Sequence, residues 1–389
     1  MADPLSKDAI VAGLAGLAPA VAEARTTIEA GRCVPVELVN DLRATGCFGM
    51  TMPRRLGGSE LDPLEQFEVC EAAAYLDASV GWCVMIGSDA GYYSAWLDDA
   101  VTQELWTRPD AITAGWVAPA GKAVEVDGGY QVGGRWQFGS GCTHADVIVA
   151  GCLVFDSAGN MKPSARPDPP VETLIAVMPA SEVEIQDTWY TTGLAGSGSH
   201  DYVATDVFVP TKRTFDLFSS PRRPGPLYAY NAMFFSTLAA VPIGAARSAI
   251  DTFRELATTK TLMPAMTMLR EETRAQQAIA DAEALVASGR AWALEVLGEL
   301  WETVCEDRMP DERLRARYRL SAMHACRSAR QAVERLYEAA GTSAIYTTSP
   351  LDQALRDQMT IAAHAIASSR NLEPAGRVLM GLPAQAVLF

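Results

Sequence analysis

The chain has 389 residues, 49% of them hydrophobic and 20% charged, which is enough apolar material for two or three packed units and argues against disorder. Its formal net charge of −15 argues against nucleic acid and anionic membranes as partners, because proteins that bind those polyanions carry basic faces. A small-molecule partner is expected instead.

The opening MADPLSKDAI lacks a basic segment followed by an apolar core. The most apolar run, MFFSTLAAVPIGAA (233–246), is too short to cross a bilayer and contains a proline, so a cytoplasmic protein is expected. Eight cysteines form no C-x-x-C pair and have no histidine cluster beside them, which reads as reduced, buried thiols and no metal site.

Residues 1–110 read as a helical N-terminal domain. Ile10, Leu14 and Leu17 fall at helical spacing ahead of Pro19, and Leu64, Phe67 and Tyr75 mark a further helix with Glu68 and Glu71 facing outward. Residues 111–222 change to short alternating runs: VEVDGGYQV (124–132), DVIVAGCLVF (146–155), TLIAVMP (173–179) and DYVATDVFVP (201–210). Separated by glycine-rich turns, they predict a middle β domain, with the polar, proline-rich connection 155–170 as a surface loop. Residues 223–389 return to a period of 3.6. Ile243, Ala246, Ile250, Phe253 and Ala257 form one stripe; Ile279, Ala282, Val286, Leu297, Trp301 and Val304 form a second; Leu314, Tyr318, Ala325, Ala329, Val333 and Leu336 form a third. A last helix is expected to run through His364, and long helices joined by short loops predict a bundle.

Three stretches carry a family likeness: GGYQVGGRWQFGSGCTHADVIVAG (128–151), TWYTTGLAGSGSHDYVATDVFVP (188–210) and AAGTSAIYTTSPLDQALRDQMTIAAH (339–364). Together they resemble the acyl-CoA dehydrogenase-fold flavoproteins, and more narrowly the flavin-dependent monooxygenases of two-component, group D systems. The resemblance implies an α+β chain with an N-terminal helical domain, a middle β-barrel or sandwich domain and a C-terminal four-helix bundle. It also implies a homotetramer with flavin between the β domain and the bundle, partly contacted by a neighbouring subunit.

A dehydrogenase of this fold needs a carboxylate base against the flavin. The two positions that supply it in relatives match His364-Ala365 and the neighbourhood of Phe234, and neither holds a carboxylate. Monooxygenase relatives show R-D-x-x-x-x-x-x-H, met here by Arg356, Asp357 and His364. The resemblance therefore implies an oxygenase component that takes reduced flavin (FMNH2 or FADH2) from a separate NAD(P)H:flavin reductase. With O2 it would hydroxylate an aromatic or heteroaromatic molecule through a C4a-hydroperoxyflavin. An acyl-CoA dehydrogenase with a displaced base, an N- or S-oxygenase and a flavin-free binding scaffold stand as alternatives.

His364 is the expected catalytic base, since an imidazole that titrates near neutrality can share the proton of an electron-rich ring. In W-Q-F-G-S-G (136–141), the resemblance places Ser140 and Gly141 beside flavin N5 and C4a, with Ser140 acting by its hydroxyl or its backbone N–H. Of Trp136 and Phe138, one is expected in the core and the other against flavin or substrate. Trp116, Lys260, Gln276, Gly341 and Thr342 match other flavin-contacting positions, Lys260 standing where relatives carry arginine. Trp82, Tyr92, Tyr93 and Trp96 are candidates to stack on a flat substrate. His144 reads as a loop residue, and His200 and His324 as solvated. GLAGSGS (193–199) lacks the lysine of a phosphate loop, and Ala195 and Ser197 replace the relatives' arginine and threonine.

Overall fold

The computed structural model describes residues 4–166, 169–264 and 266–385. Its N-terminal region packs α1 (Lys7–Gly16), α2 (Ala18–Gly31), α3 (Val36–Ala44), α4 (Pro63–Leu76), α5 (Ala78–Gly87), α6 (Ala90–Ser94) and α7 (Asp99–Leu105). Helix α4 starts where its sequence says it should. Asp62 accepts the Glu65 N–H at 2.8 Å, Glu65 returns a bond to the Asp62 N–H at 3.1 Å, and Pro63 fills the first helical position. Asp77 then breaks the helix in an extended conformation and caps α5 by accepting the Ser79 and Val80 amides. Gly81 lets α5 fold back on α4, since a Cβ there would stand 2.5 Å from Ala74 Cα. On α4, Glu71 does not face water as expected but pairs with Arg290 at 2.8 Å.

Strands β1 (Thr113–Val126), β2 (Gly129–Gly139), β3 (Val147–Phe155), β4 (Thr173–Pro179), β5 (Glu184–Gln186), β6 (His200–Pro210) and β7 (Thr214–Phe215) form one sheet among the described residues. Its order is β5-β6-β2-β1-β3-β4-β7, with β1 and β3 parallel and the other neighbours antiparallel. Alternation divides β3 and β4 cleanly. Val147, Val149, Ile175 and Val177 join the helical core, while Ile148, Ala150, Cys152, Ala176 and Met178 join Trp136 and Tyr202 in a core of the sheet's own. β4 and β6, though not neighbours in the ladder, approach each other, so the sheet curls around that core. The 155–170 connection pairs Phe155 with Met161 and Pro163 with Val171; residues 167 and 168 lie outside the described residues.

After the short α8 (Pro226–Ala229) come α9 (Ala240–Thr259), a hairpin of β8 (Thr261–Leu262) and β9 (Thr267–Met268), α10 (Thr273–Cys305), α11 (Glu312–Ala340), α12 (Pro350–Ala362) and α13 (Leu372–Leu379). Helices α9 to α12 pack on one another as a bundle, with α11 against the other three. The apolar run 233–246 belongs to a longer helical stretch, Asn231–Thr259, that is long and apolar enough to cross a membrane, but 78% of its most apolar part is buried and it is a core helix here. The last predicted helix stops short. α12 ends at Ala362, and His364 lies in the following turn, whose carbonyls at Ala365, Ile366 and Ser368 are gathered by the Asn371 side-chain amide at 2.8, 2.9 and 3.2 Å.

Candidate active site

Residues i and i+2 of a regular strand share a face, yet Trp136 and Phe138 do not. The β2–β6 ladder slips between Trp136 and Gly139, and Phe138 takes φ 60°, a left-handed conformation that costs a bulky side chain about 1–2 kcal/mol. Trp136 is thereby fully buried, stacked on Tyr202 at 5.3 Å. Phe138 turns outward, 49% exposed, with Trp116 at 5.6 Å and Trp189 edge-on at 6.3 Å. Trp116, Ala120, Arg135, Gln137 and Phe138 line an open depression of about 270 Å³. An exposed aromatic group held by strained backbone suits a flat conjugated ring such as a flavin's.

The same bulge delivers Ser140 to the interior. Its Oγ accepts the Trp82 indole N–H at 2.9 Å and contacts Ser199 Oγ at 2.7 Å. Ser199 Oγ contacts Ser197 Oγ at 2.8 Å, and Ser197 Oγ donates to the Leu194 carbonyl at 2.7 Å. Gly141, at φ 70°, donates its N–H to Ser197 O at 2.8 Å, which pins the end of β2 to the glycine-rich loop. Ser197 and Ser199 were missed by the sequence reading because alternate serines in a glycine-rich stretch look like any turn. Trp189, which donates to Leu194 O at 3.0 Å and edges Phe138, was missed for the same lack of pattern.

Trp82 also meets His364, ring centroids 5.4 Å apart and 73° inclined. The His364 Nδ1 accepts the Ile366 amide at 3.4 Å, and burial pushes its imidazole down to about 4, so the ring is neutral near pH 7 rather than poised to titrate there. The Arg-Asp pair that precedes it grips the glycine-rich loop. Asp357 accepts the Leu194 N–H at 2.6 Å, Arg356 donates to Thr192 O at 2.5 Å, and Gly193 packs so closely on Arg356 that a Cβ would stand 2.0 Å from its carbonyl oxygen. Arg356 itself is held by Glu29 at 2.5 Å and Asp352 at 2.8 Å. Burial, and after it the like charge of Asp77, raises the Asp357 carboxyl to about 8. Asp89, in α6's approach, is also buried, and burial raises its carboxyl well above the usual range; nothing in the sequence sets it apart from a turn aspartate.

Of the other expected site residues, Lys260, Gly341 and Thr342 come together at the end of α11. Lys260 Nζ donates to Ala340 O at 2.6 Å, next to Gly341 at φ 58°. Gln276 lies exposed on the first turn of α10, bonded to Arg270 O at 3.1 Å. Tyr92 donates to Gln66 Oε1 at 2.8 Å, Tyr93 lies 6.2 Å from Phe234, and Trp96 stacks on Phe215 at 5.2 Å while donating to Ser219 O, so among the four aromatics Trp82 is the one joined to Ser140 and His364.

Two histidines differ from expectation. His200 is buried at the start of β6, its Nδ1 accepting the Thr188 and Trp189 amides at 3.2 Å, and so it shapes the loop that carries Trp189. His324 is half-buried against Trp292 at 5.3 Å. His144 follows Gly141 in a short turn, and burial lowers its imidazole.

The chain is similar to known proteins over most of its length. The family described as acyl-CoA dehydrogenase, C-terminal domain, matches residues 236–369, and that described as acyl-CoA dehydrogenase, N-terminal domain, matches residues 15–104. Indole-3-acetate monooxygenase of Pseudomonas putida is 30% identical over 353 residues, covering 90% of this chain and 88% of its own. The flavin-dependent monooxygenase oxygenase subunit HsaA of Mycobacterium tuberculosis H37Rv is 29% identical over 370 residues, covering 92% and 91%. The crystal structure of the M. tuberculosis HsaA monooxygenase superposes with a TM-score of 0.88 at 27% identity, over 99% of this chain and 100% of that one.

Proposed function

The chain belongs to the flavin-dependent monooxygenases built on the acyl-CoA dehydrogenase fold, and we propose that its Ser140 and His364 flank the point of oxygen transfer. The protein is an oxygenase component that uses reduced flavin and O2 to hydroxylate an aromatic or heteroaromatic small molecule. The observation that carries the residue assignment is the Trp82 indole, bonded to Ser140 on one side and edge-on to His364 on the other.

Bound reduced flavin supplies the activation of O2. Phe138, Trp116 and Trp189 would hold its ring system against aromatic surface, and Ser140 and Gly141 would hold its reactive side. Because His364 Nδ1 accepts the Ile366 amide, the neutral ring carries its proton on Nε2 and would donate a hydrogen bond to the oxygen of a phenol or phenolate substrate, holding the ring to be attacked in place. The buried flanks of Trp82, Ser140 and Ser199 keep water from the reacting atoms.

The same reading gives the chain a cytoplasmic place, three domains (1–110, 111–222, 223–389), a separate NAD(P)H:flavin reductase and a homotetramer. Lys260, Gln276, Gly341 and Thr342 would then reach a neighbouring subunit's flavin. Met263, Met266, Ile345 and Tyr346, 76%, 69%, 57% and 64% exposed around that cluster, form apolar surface that a second copy would cover.

The test mixes the protein with anaerobically reduced FMN or FAD, isotopically labelled O2 and a panel of phenols and indoles. A product carrying one labelled oxygen atom is expected with at least one flavin. Flavin binding without label in any product would overturn the reading.

A further inference from the structure

The hydroxyl contacts around Ser140 admit one proton order. The Leu194 carbonyl only accepts, so Ser197 Oγ, 2.7 Å away, must donate to it. With that proton used, the 2.8 Å contact between Ser197 and Ser199 requires Ser199 to donate. The 2.7 Å contact between Ser199 and Ser140 then requires Ser140 to donate. At the other end the Trp82 indole, a donor only, gives its proton to Ser140 Oγ. The Ser140 N–H is bonded to Phe138 O at 2.8 Å. Both of the serine's protons are therefore committed inside the protein, and its hydroxyl keeps one free lone pair. Ser140, Ser197 and Ser199 are 6%, 1% and 3% exposed, so water does not readily replace a member of the chain.

We infer that Ser199 and Ser197 are positioning residues that hold Ser140 as a hydrogen-bond acceptor, and so set the site to receive reduced rather than oxidised flavin. The inference rests on the reading that Ser140 meets flavin N5. Reduced flavin carries a hydrogen at N5 and donates to the lone pair. Oxidised flavin presents a lone pair of its own there, and the two repel. A polarised chain strengthens each link, and the indole at its head prevents the Ser140 hydroxyl from reversing. An oxygenase supplied with reduced flavin gains from this preference, because the spent oxidised ring is released in favour of the next reduced one.

The test is the ratio of dissociation constants for oxidised and dithionite-reduced FMN and FAD, measured anaerobically by titration. It is run on wild type, Ser140→Ala, Ser199→Ala and Ser199→Thr. Wild type is expected to favour reduced flavin. Ser199→Ala lets the Ser140 hydroxyl turn and donate to the oxidised ring, lowering the ratio about tenfold, and Ser199→Thr restores it. Ser197→Ala, one link further out, lowers it less and serves where Ser199→Ala does not fold. An unchanged or larger ratio in Ser199→Ala, with a changed one in Ser140→Ala, overturns the inference alone. A ratio unchanged in both overturns the placement of Ser140 at N5 as well.

Discussion

Trp82 gives its indole proton to Ser140 Oγ at 2.9 Å from a ring that is itself buried and set edge-on to His364. The residue thus joins the end of β2 to the turn after α12. Trp82→Phe keeps a ring near His364 but strips the donor. Its cost in stability is expected at about 1 kcal/mol, the usual price of a lost buried hydrogen bond, with less product and more hydrogen peroxide per flavin oxidised. Thermal unfolding and peroxide assay check this; unchanged partition would show that the indole proton plays no part in the reaction.

His364 ties stability to pH while leaving activity near neutrality free of its titration. Held down to about 4 in the fold, it is neutral from pH 6 to 8, and no histidine titration is expected in the activity profile there. In the unfolded chain its pKa returns to ~6.5, so between ~6.5 and about 4 the unfolded state binds the extra proton. The fold therefore keeps this contribution above ~6.5 and loses it as pH falls toward 4. In His364→Gln, the loss of unfolding free energy from pH 7 to pH 4.5 should shrink by up to ~2 kcal/mol in denaturant melts.

Asp357 has the reverse sign. Its carboxyl is raised to about 8, so its contribution is whole below ~4 and is lost as pH rises through 8, by at most ~1.4 kcal/mol per pH unit. Asp357→Asn keeps an acceptor for the Leu194 N–H and abolishes that slope. The variant is expected to melt above wild type at pH 8 and to lose that advantage by pH 5. Asp357→Ala leaves the Leu194 amide buried without its partner and is expected to cost about 1–3 kcal/mol at either pH.

Much of this architecture is legible from hydrophobic period. The stripes through Ile243–Ala257 and Leu314–Leu336 are buried on α9 and α11, and the alternation of 146–155 and 173–179 sorts β3 and β4 onto two cores. What escaped depends on tertiary contacts. Nothing local ends α12 at Ala362, because Ala-Ala-His-Ala-Ile contains no glycine or proline; the turn is fixed by Asn371, seven residues after His364. Likewise no rule of alternation separates Trp136 from Phe138, since a bulge and a left-handed phenylalanine do it. The Arg-Asp-His motif was readable as residues, but the grip of Arg356 and Asp357 on the 192–194 loop was not.

Phe138→Gly tests whether the strained residue serves the ligand. Glycine adopts φ 60° freely, so the variant is expected to fold with a melting temperature close to that of wild type, while affinity for reduced flavin falls about tenfold or more with the lost aromatic contact. Equilibrium flavin titration beside a thermal melt separates the two effects. Unaltered affinity would place the flavin elsewhere than on the Trp116–Phe138 surface.

The most direct test of the central claim is how oxygen is partitioned between hydroxylated product and hydrogen peroxide in single turnovers with reduced flavin and a hydroxylated substrate, compared across wild type, Ser140→Ala and His364→Ala. The account predicts mostly product from wild type and mostly peroxide from Ser140→Ala whatever the substrate. For His364→Ala it predicts normal flavin binding with product formation slowed ~100-fold or more. Wild-type partition and rate in both variants would contradict it.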